Sequence, residues 1–483
     1  MRLEEIKKLL DCQLDANDVE IKGLAYDSRK VEAGFIFFAI KGETYDGHDY
    51  VEMAIKKGAV AVVGEDDLSL SVAYLMVHNA KKALARVSHY FHDKPSNEIK
   101  VVGVTGTNGK TSVTHLIHYI YNHLGVKNGL IGTNSWDVGV KKKAVNTTPM
   151  SLDLNEMLRL GIENGREFVI MEVSSHGIKE NRVDLIDFDS FIYTNLSEDH
   201  LDYHKNFDDY MFTKMRPFMW FSTYDTSKCA IINIDDEFGS YFVNVTNGRV
   251  LTYGLGIDAD FQARNIVYGL DRTAFDLHLR GKFVCHVESP MFGKYNVYNV
   301  LAVFAYFYYD GWNCEKIALI IKGLPTVTGR FEKFTTKTGV NVIIDYAHTP
   351  DSIYQILTSL NVVARGDIIT IVGAGGDRDK TKRPLMGKHA LALSTHVYFT
   401  SDNPRSENPQ NIIYDMIFGN IKTNYTIVID RKDAIEKALK QANPGDLVVI
   451  LGKGHEKTQT IGEVAYPFSD VDIAKQLVKE NRL

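Results

Sequence analysis

Four cysteines in 483 residues, Cys12, Cys229, Cys285 and Cys314, are too few and too scattered for a disulfide framework or a metal clip. Free thiols in a reducing compartment are expected. No apolar run approaches the roughly 18 residues that a membrane span requires. Met1–Leu10 is charged and amphipathic, unlike a signal peptide, so a cytoplasmic protein is expected. The formal charge is only −6, and Lys141-Lys142-Lys143 is the one tight basic run. Nucleic acid is therefore not an expected partner, and that run reads as a solvated loop. Internal repeats and low-complexity segments are missing. So are Asn-Lys-x-Asp and Thr-Lys-x-Asp, which removes support for a guanine-specific GTPase.

What is present begins with Val101-Val102-Gly103-Val104-Thr105-Gly106-Thr107-Asn108-Gly109-Lys110-Thr111, a short apolar strand running into Gly-x-x-x-x-Gly-Lys-Thr. Gly106 and Gly109 allow a tight turn in which successive N–H groups of residues 106–109, Thr107 and Asn108 included, face an anion. The helix that follows adds partial positive charge at its N-terminus. Lys110 reaches the outer phosphates, and the Thr111 hydroxyl suits Mg²⁺. Phe168–Glu172 is a second apolar run that ends in a carboxylate. Glu172 reads either as the second metal contact of such a site or as a loop cap. Thr194–His204 then packs acids and histidines after another strand, with His200 open to a metal or a structural role.

Length alone suggests about three domains. Phe35–Ile40 and Ala59–Val63 read as strands with a helix at Tyr50–Lys57 between them. The polar break His92–Asn97 precedes the phosphate loop, and a second break surrounds Gly323–Arg330. Beyond it strands restart at Val342–Asp345, Ile368–Gly373, Val397–Thr400 and Leu447–Leu451, the pattern of a doubly wound sheet. The expected fold is α/β in three domains at 1–98, 99–328 and 329–483.

Thr105–Thr111, Glu172–Gly177, Thr194–Asp202 and Asp345-Tyr346-Ala347-His348-Thr349-Pro350, in this order, resemble the Mur ligases, the ATP-dependent amino-acid ligases of peptidoglycan precursor synthesis. The resemblance runs from Asp27-Ser28-Arg29 to Gly452-Lys453-Gly454-His455-Glu456. It implies an N-terminal UDP-binding α/β domain, a central P-loop ATP-binding α/β domain and a C-terminal Rossmann-like amino-acid domain. Within the family, Asn146-Thr147-Thr148-Pro149, Gly375–Pro384 and Asp402-Asn403-Pro404-Arg405 resemble the enzymes that add the third peptide residue. The implied partners are ATP, Mg²⁺, a UDP-N-acetylmuramoyl dipeptide and meso-diaminopimelate, handled by a monomer.

The resemblance also implies residue roles. Ser28, with Glu43, Thr44 and Tyr45 nearby, meets the uridine end. Asn146, Thr147, Thr148, Ser174 and Arg182 hold the muramoyl peptide, with Glu180 standing where relatives carry glutamine. Lys214 matches a lysine that the family carbamylates, whereas from the residues alone it reads as a surface lysine. His200 ligates a second Mg²⁺. Asn296 and Asn299 read adenine, although a pair of helix-cap asparagines fits the same residues. Arg330 and Asp345 reach ATP. For the amino acid, Arg405 pairs the second carboxylate of diaminopimelate. Arg383 takes that group's other oxygen, and Asp402 and Glu456 hold the distal ammonium. Gly452, Asn403 and Pro404 shape the same pocket. A folylpolyglutamate-type ligase is the nearest rival, disfavoured by the N-terminal domain with Asp27-Ser28-Arg29. A nucleotide-binding module without catalysis is the rival from another class, disfavoured by the full set Lys110, Thr111, Glu172, His200 and Lys214.

Overall fold

The computed structural model describes residues 1–12, 17–42, 45–200, 203–221, 225, 227–325 and 331–480. The chain divides into two compact units, Met1–Leu196 with Asp208–Thr252, and Ser197–Phe207 with Tyr253–Leu483. The division by compactness thus cuts within the segment expected as 99–328.

The first unit opens with a four-stranded parallel sheet, β1 (Gly23–Ala25), β2 (Phe35–Phe38), β3 (Ala61–Gly64) and β4 (Ala73–Met76), in that order. β1, β2 and β3 are buried almost throughout, whereas the edge strand β4 leaves Met76 exposed. Ile36, Phe38, Ala61 and Val63 pack under the helices Leu3–Leu10 and Ala80–Phe91, while Phe37 and Val62 pack with Val51 and Ala54 of the helix Val51–Lys56. The strand and helix expected here exist with slightly shifted ends. The break at His92–Asn97 is tied down, since Arg159 donates to the His92 carbonyl at 2.9 Å and pairs with Glu98 at 2.7 Å.

The same unit carries a second sheet built on β5 (Lys100–Thr105), β6 (Asn128–Ile131), β7 (Trp136–Asp137), β8 (Lys141–Lys142), β9 (Phe168–Glu172), β10 (Ser190–Tyr193) and β11 (Cys229–Asn233), in spatial order β11-β10-β5-β9-β6-β7-β8. The five longer strands are parallel. The basic run is therefore not a loop: Lys141 and Lys142 form an exposed edge strand, and Lys142 pairs with Glu156. Register sets Val104 opposite Glu172 and Thr105 opposite Tyr193, so the phosphate loop leaves β5 between two strand ends. Ligands of open parallel sheets bind at such carboxyl edges.

β12 (Arg249–Gly254) leads into the second unit, where β13 (Phe261–Tyr268), β14 (Thr273–Leu279) and β15 (Lys282–Ser289) form an antiparallel meander. The helices Lys294–Tyr309 and Cys314–Lys322 follow. The last sheet holds β16 (Glu332–Thr335), β17 (Asn341–Asp345), β18 (Ile368–Val372), β19 (His396–Phe399), β20 (Tyr425–Ile427) and β21 (Leu447–Leu451), in order β16-β17-β21-β18-β19-β20, parallel except for β16. Side chains alternate between two cores: Ile343, Val372, Phe399 and Val449 face one, Ile344, Ile371, Val448 and Ile450 the other. A strand covered on both faces reads as a continuous apolar run, which is how these strands read in the sequence. Each fully buried Val, Leu, Ile or Phe side chain contributes about 1.5–3 kcal/mol. A small antiparallel ribbon, β22 (Thr458–Ile461) and β23 (Val464–Pro467), follows β21. Among the described residues no helix is long and apolar enough to cross a membrane.

Candidate active site

The phosphate loop is clamped from one side by the end of β10. Thr107 N–H donates to the Asn195 carbonyl and Asn108 N–H to Asn195 Oδ1, both at 2.9 Å. Thr194 Oγ1 donates to the Asn108 carbonyl at 2.6 Å. Gly106 has φ +145, and a Cβ there would lie 1.9 Å from Thr194 Oγ1, so only glycine fits. Gly109, φ +89, caps the helix Lys110–Leu124, which starts at Lys110 rather than after it. The clamp is itself held by residues the sequence did not single out. Asn233 Nδ2 donates to the Thr194 carbonyl at 2.8 Å, and Leu196 N–H donates to Asp236 Oδ2 at 3.1 Å. Burial pushes the Asp236 carboxyl above its ordinary range, although Tyr193 and two backbone amides donate to it.

Lys110 Nζ donates to the carbonyls of Gly106 and Thr107 at 2.8 and 2.9 Å, folded over the loop it belongs to. Glu172 is 1% exposed. Its Oε2 accepts from the Thr111 hydroxyl at 2.8 Å, and its Oε1 accepts from Thr133 N–H at 2.9 Å. A Cβ on Gly132 would lie 2.3 Å from Oε1, so this strand end is shaped around the carboxylate. A hydroxyl and a carboxylate in contact are hard oxygen donors of the kind Mg²⁺ takes.

Lys214 is 1% exposed, and the surface-lysine reading fails. Its Nζ donates to the Gly106 carbonyl at 2.9 Å and lies over the Tyr210 ring, whose hydroxyl meets Thr107 Oγ1 at 3.0 Å. In sequence Phe207–Met215 looks like any polar helix, but the structure buries Tyr210, Met211, Thr213 and Lys214.

Thr148 is fully buried and donates to the Glu172 carbonyl at 3.0 Å while accepting from Ser174 N–H at 3.0 Å. Ser174 caps the helix Ser175–Lys179 through Gly177 N–H. Thr147 Oγ1 lies 3.1 Å from Thr133 Oγ1, and exposed Asn146 accepts from Trp136 through its carbonyl. Arg182 donates to the Thr148 carbonyl at 2.9 Å. Glu180 pairs with Arg182 at 2.6 Å and Lys81 at 3.1 Å. Burial raises its carboxyl, but the two cations outweigh that and hold it below the ordinary range. The unexpected acid is thus a brace for Arg182. Ser28 is buried in a short turn against Met53, and Tyr45 is exposed; Glu43 and Thr44 lie outside the described residues. Asp46, His48 and Asp66 form the one three-residue group with metal-ligating atoms close together among the described residues. His48 Nε2 there accepts Glu65 N–H at 3.0 Å, so the ring works as a loop brace.

In the second unit His200 has φ +55 and sits 3.4 Å from Asp199; Leu201 and Asp202 lie outside the described residues. Asn296 and Asn299 are buried on the helix Lys294–Tyr309 and bonded to one another at 3.0 Å. Asp345 ends β17 and accepts from Phe331 N–H at 2.7 Å and Ala347 N–H at 2.9 Å. Arg330, one residue before Phe331, is outside the described residues.

The ends of β21, β18 and β19 stand side by side and carry Gly452–Glu456, Gly373–Arg378 and Thr400–Arg405. Asn403 ties them together. Its Oδ1 accepts from Lys453 Nζ at 3.1 Å and its Nδ2 donates to Glu456 Oε2 at 2.9 Å. Lys453 is fully buried and pairs with Glu456 at 2.9 Å. A Cβ on Gly452, φ +116, would lie 2.7 Å from Asp402 Oδ2. The Pro404 carbonyl lies 1.9 Å from where a Gly376 Cβ would be, so the two loops touch through backbone. Arg405, half-buried, donates to the Gly376 carbonyl at 2.7 Å.

Arg383 is a correction. It is fully buried, donates to Glu407 at 2.7 Å, Asp415 at 2.8 Å and the Gly375 carbonyl at 3.1 Å, and offers no face to a ligand. Its hydrogen bond holds the Glu407 carboxyl down at about 2 against burial. Glu407 in turn accepts from Asp377 N–H, so Arg383 fixes the turn rather than the substrate. The guanidinium the motif leaves exposed is Arg378, five residues earlier. A Cβ on Gly375 would lie 3.1 Å from Arg405 Nη1 and 3.7 Å from Arg378 Cγ, so the two arginines, from neighbouring loops, approach the same glycine. One Gly-Gly-Asp-Arg run followed by Lys-Arg-Pro offers two arginines, and sequence alone does not tell which is buried.

Three family descriptions match the chain in series: Mur ligase family, catalytic domain, over residues 20–94; Mur ligase middle domain, over 104–307; and Mur ligase, glutamate ligase domain, over 329–454. A UDP-N-acetylmuramoyl-L-alanyl-D-glutamate--2,6-diaminopimelate ligase of Halalkalibacterium halodurans is 42% identical over 462 residues, covering 95% of each chain. One of Clostridium acetobutylicum is 41% identical and covers 99% of this chain and all of the other. A solved structure with that enzyme name superposes with a TM-score of 0.70 at 30% identity over 99% of each chain. MurF ligase from Thermotoga maritima in complex with ADP shares the fold at 18% identity and a TM-score of 0.64, over 95% of this chain and 98% of that one. With three domain matches in order and relatives of this identity along the whole chain, the protein belongs to the Mur ligase family.

Proposed function

We propose that the chain is an ATP-dependent ligase joining meso-diaminopimelate to the D-glutamate γ-carboxylate of UDP-N-acetylmuramoyl-L-alanyl-D-glutamate, in peptidoglycan precursor synthesis. The observation that carries this reading is the acceptor edge, where Arg405 and Arg378 approach Gly375 from neighbouring loops, with Asp402 and Glu456 on the same edge. The far end of a diamino diacid carries one carboxylate and one ammonium, and this edge offers partners for both. Domains at 1–98, 99–328 and 329–483 divide the work between UDP, ATP and amino acid.

A carboxylate does not accept an amine, because oxide is a hopeless leaving group. The substrate's carboxylate oxygen attacks the γ-phosphorus of ATP, and ADP departs. The acceptor amine then attacks the acyl carbon, loses a proton, and phosphate leaves with the former carboxylate oxygen. The chain supplies no nucleophile. Its work is charge compensation and placement. Lys110 exchanges its two loop carbonyls for phosphate oxygens, and amides at the N-terminus of the helix Lys110–Leu124 cradle the phosphates, the Thr107 and Asn108 N–H groups being bonded to Asn195. Thr111 and Glu172 fit Mg²⁺, which supplies further neutralisation of the transferring phosphoryl group.

Lys214, buried beside Gly106, is proposed to carry a carbamate, which replaces a buried cation by an anion able to ligate metal. His200 is proposed as a metal ligand, Asn296 and Asn299 as adenine readers, and Arg330 and Asp345 as further contacts to ATP. Arg182, braced by Glu180, with Asn146, Thr147, Thr148 and Ser174, is assigned to the muramoyl peptide. Ser28, Glu43, Thr44 and Tyr45 are assigned to its UDP end. The enzyme is proposed to act as a cytoplasmic monomer. ADP release measured with the UDP-muramoyl dipeptide and a panel of amino acids tests the reading. Turnover with meso-diaminopimelate and a product heavier by one diaminopimelate residue is expected; turnover only with a folate acceptor and glutamate would overturn it.

A further inference from the structure

The ribbon β22–β23 has no part in the chemistry above. All four residues of β23 are exposed, and a two-stranded ribbon is marginal by itself. The free side of β22 is nevertheless bonded to the segment Asp402–Arg405. Arg405 N–H donates to the Thr460 carbonyl at 3.1 Å and Gly462 N–H donates to the Arg405 carbonyl at 2.8 Å, which makes a parallel bridge between Arg405 and Ile461. Thr460 N–H donates to Asn403 Oδ1 at 2.9 Å, and Gln459 Nε2 to the Asp402 carbonyl at 2.7 Å. Every one of these bonds ends on Asp402–Arg405.

Arg405 itself has φ +50, a region that non-glycine residues seldom occupy unless their surroundings impose it. Here the imposing group is the ribbon, which holds the arginine's N–H and carbonyl together. Asn403 Oδ1 is shared between the ribbon and buried Lys453, and its amide nitrogen holds Glu456. Displacing the ribbon therefore disturbs both the guanidinium and the carboxylate of the acceptor edge.

We propose that the ribbon Thr458–Pro467 is a specificity element of the ligation, with Gln459 and Thr460 as positioning residues that aim Arg405 and Glu456 at the far end of the acceptor amino acid. This rests on the reading that Arg405 meets the acceptor's second carboxylate. The test uses Gln459→Leu, which deletes one side-chain donor, and Thr460→Pro. The latter deletes the N–H that donates to Asn403, a group that takes no part in the pairing of β22 with β23. Arg405→Ala is the control for the underlying reading.

Both ribbon variants are expected to raise KM for meso-diaminopimelate and to cut the kcat/KM ratio of meso-diaminopimelate over L-lysine by about tenfold or more, with KM for ATP and for the UDP-muramoyl dipeptide changed less than about twofold. An unchanged ratio in Gln459→Leu while Arg405→Ala loses it would overturn the ribbon's role and leave the arginine's intact. An even loss of kcat for both amino acids, with the ratio kept, would also overturn it, since that is the mark of general support. An undiminished ratio in Arg405→Ala would remove the reading beneath the proposal and the proposal with it.

Discussion

The phosphate loop and the acceptor edge are both built at carboxyl ends of parallel strands, yet they are assembled in opposite ways. The loop is a single run, Gly106–Thr111, in which the two glycines, the lysine and the threonine hydroxyl are contiguous. The acceptor edge draws on Gly375–Arg378, Asp402–Arg405, Lys453–Glu456 and Gln459–Gly462, joined by hydrogen bonds between residues up to 57 apart in sequence. A contiguous site is legible as a motif, because the spacing is the geometry. A dispersed one is not, because which side chain is buried depends on strands that meet only in the fold.

The largest effect expected from that contrast is at the loop. Lys110→Ala should abolish turnover, a loss on the order of a thousandfold or more, with the circular dichroism spectrum and Tm unchanged. Near-normal ligation would break the assignment. Lys214→Ala should be almost as severe, and short carboxylates added to the assay should restore part of the rate by supplying an anion. A fully active variant would return Lys214 to a packing role despite its burial.

At the acceptor edge the effects should be graded. Arg405→Ala should lose most of the preference for meso-diaminopimelate, chiefly by losing diaminopimelate, and Arg378→Ala should lose a smaller share, both read from kcat/KM on two amino acids. Arg383→Ala should behave otherwise: it should lower Tm by removing the buried cation that Glu407 and Asp415 share, and lower activity on every acceptor alike.

The smallest effect is one of stability against pH. The Glu407 carboxyl lies at about 2 in the fold against an ordinary 4.5. A carboxyl whose value is depressed by folding stabilises fully above the ordinary value, and that contribution drains away as pH falls through 4.5 toward 2. Its size is at most about 3.5 kcal/mol at neutral pH, at ~1.4 kcal/mol per unit. Glu407→Gln should therefore be less stable in denaturant at pH 7, and the gap to the unmodified chain should narrow below pH 4. A gap that stays constant down to pH 2.5 would contradict the ion pair.

The α/β class, the strand runs of the last sheet and the phosphate loop were legible because buried parallel strands are continuous apolar runs and the loop is local. Lys214 was not. A lysine on the helix Phe207–Met215 gives no sign that its Nζ ends on the Gly106 carbonyl. Glu180 looked misplaced until Lys81 and Arg182 were seen to neutralise it. Nothing local marks Arg383 as buried, because its partners Glu407 and Asp415 lie 24 and 32 residues away. Asn233 and Asp236, which hold the clamp on the phosphate loop, carry no motif and reach it through Thr194 and Leu196.

The most direct test is the kcat/KM ratio of meso-diaminopimelate to L-lysine, measured with the UDP-muramoyl dipeptide in the unmodified chain and in Arg405→Ala. An arginine left facing lysine has no anion to pair with, and losing one partner of such a pair costs about 2–5 kcal/mol. The ratio should therefore be about a hundredfold or more in the unmodified chain and fall most of the way to unity in the variant. Equal use of the two amino acids by the unmodified chain, or a ratio untouched in Arg405→Ala, would contradict the account.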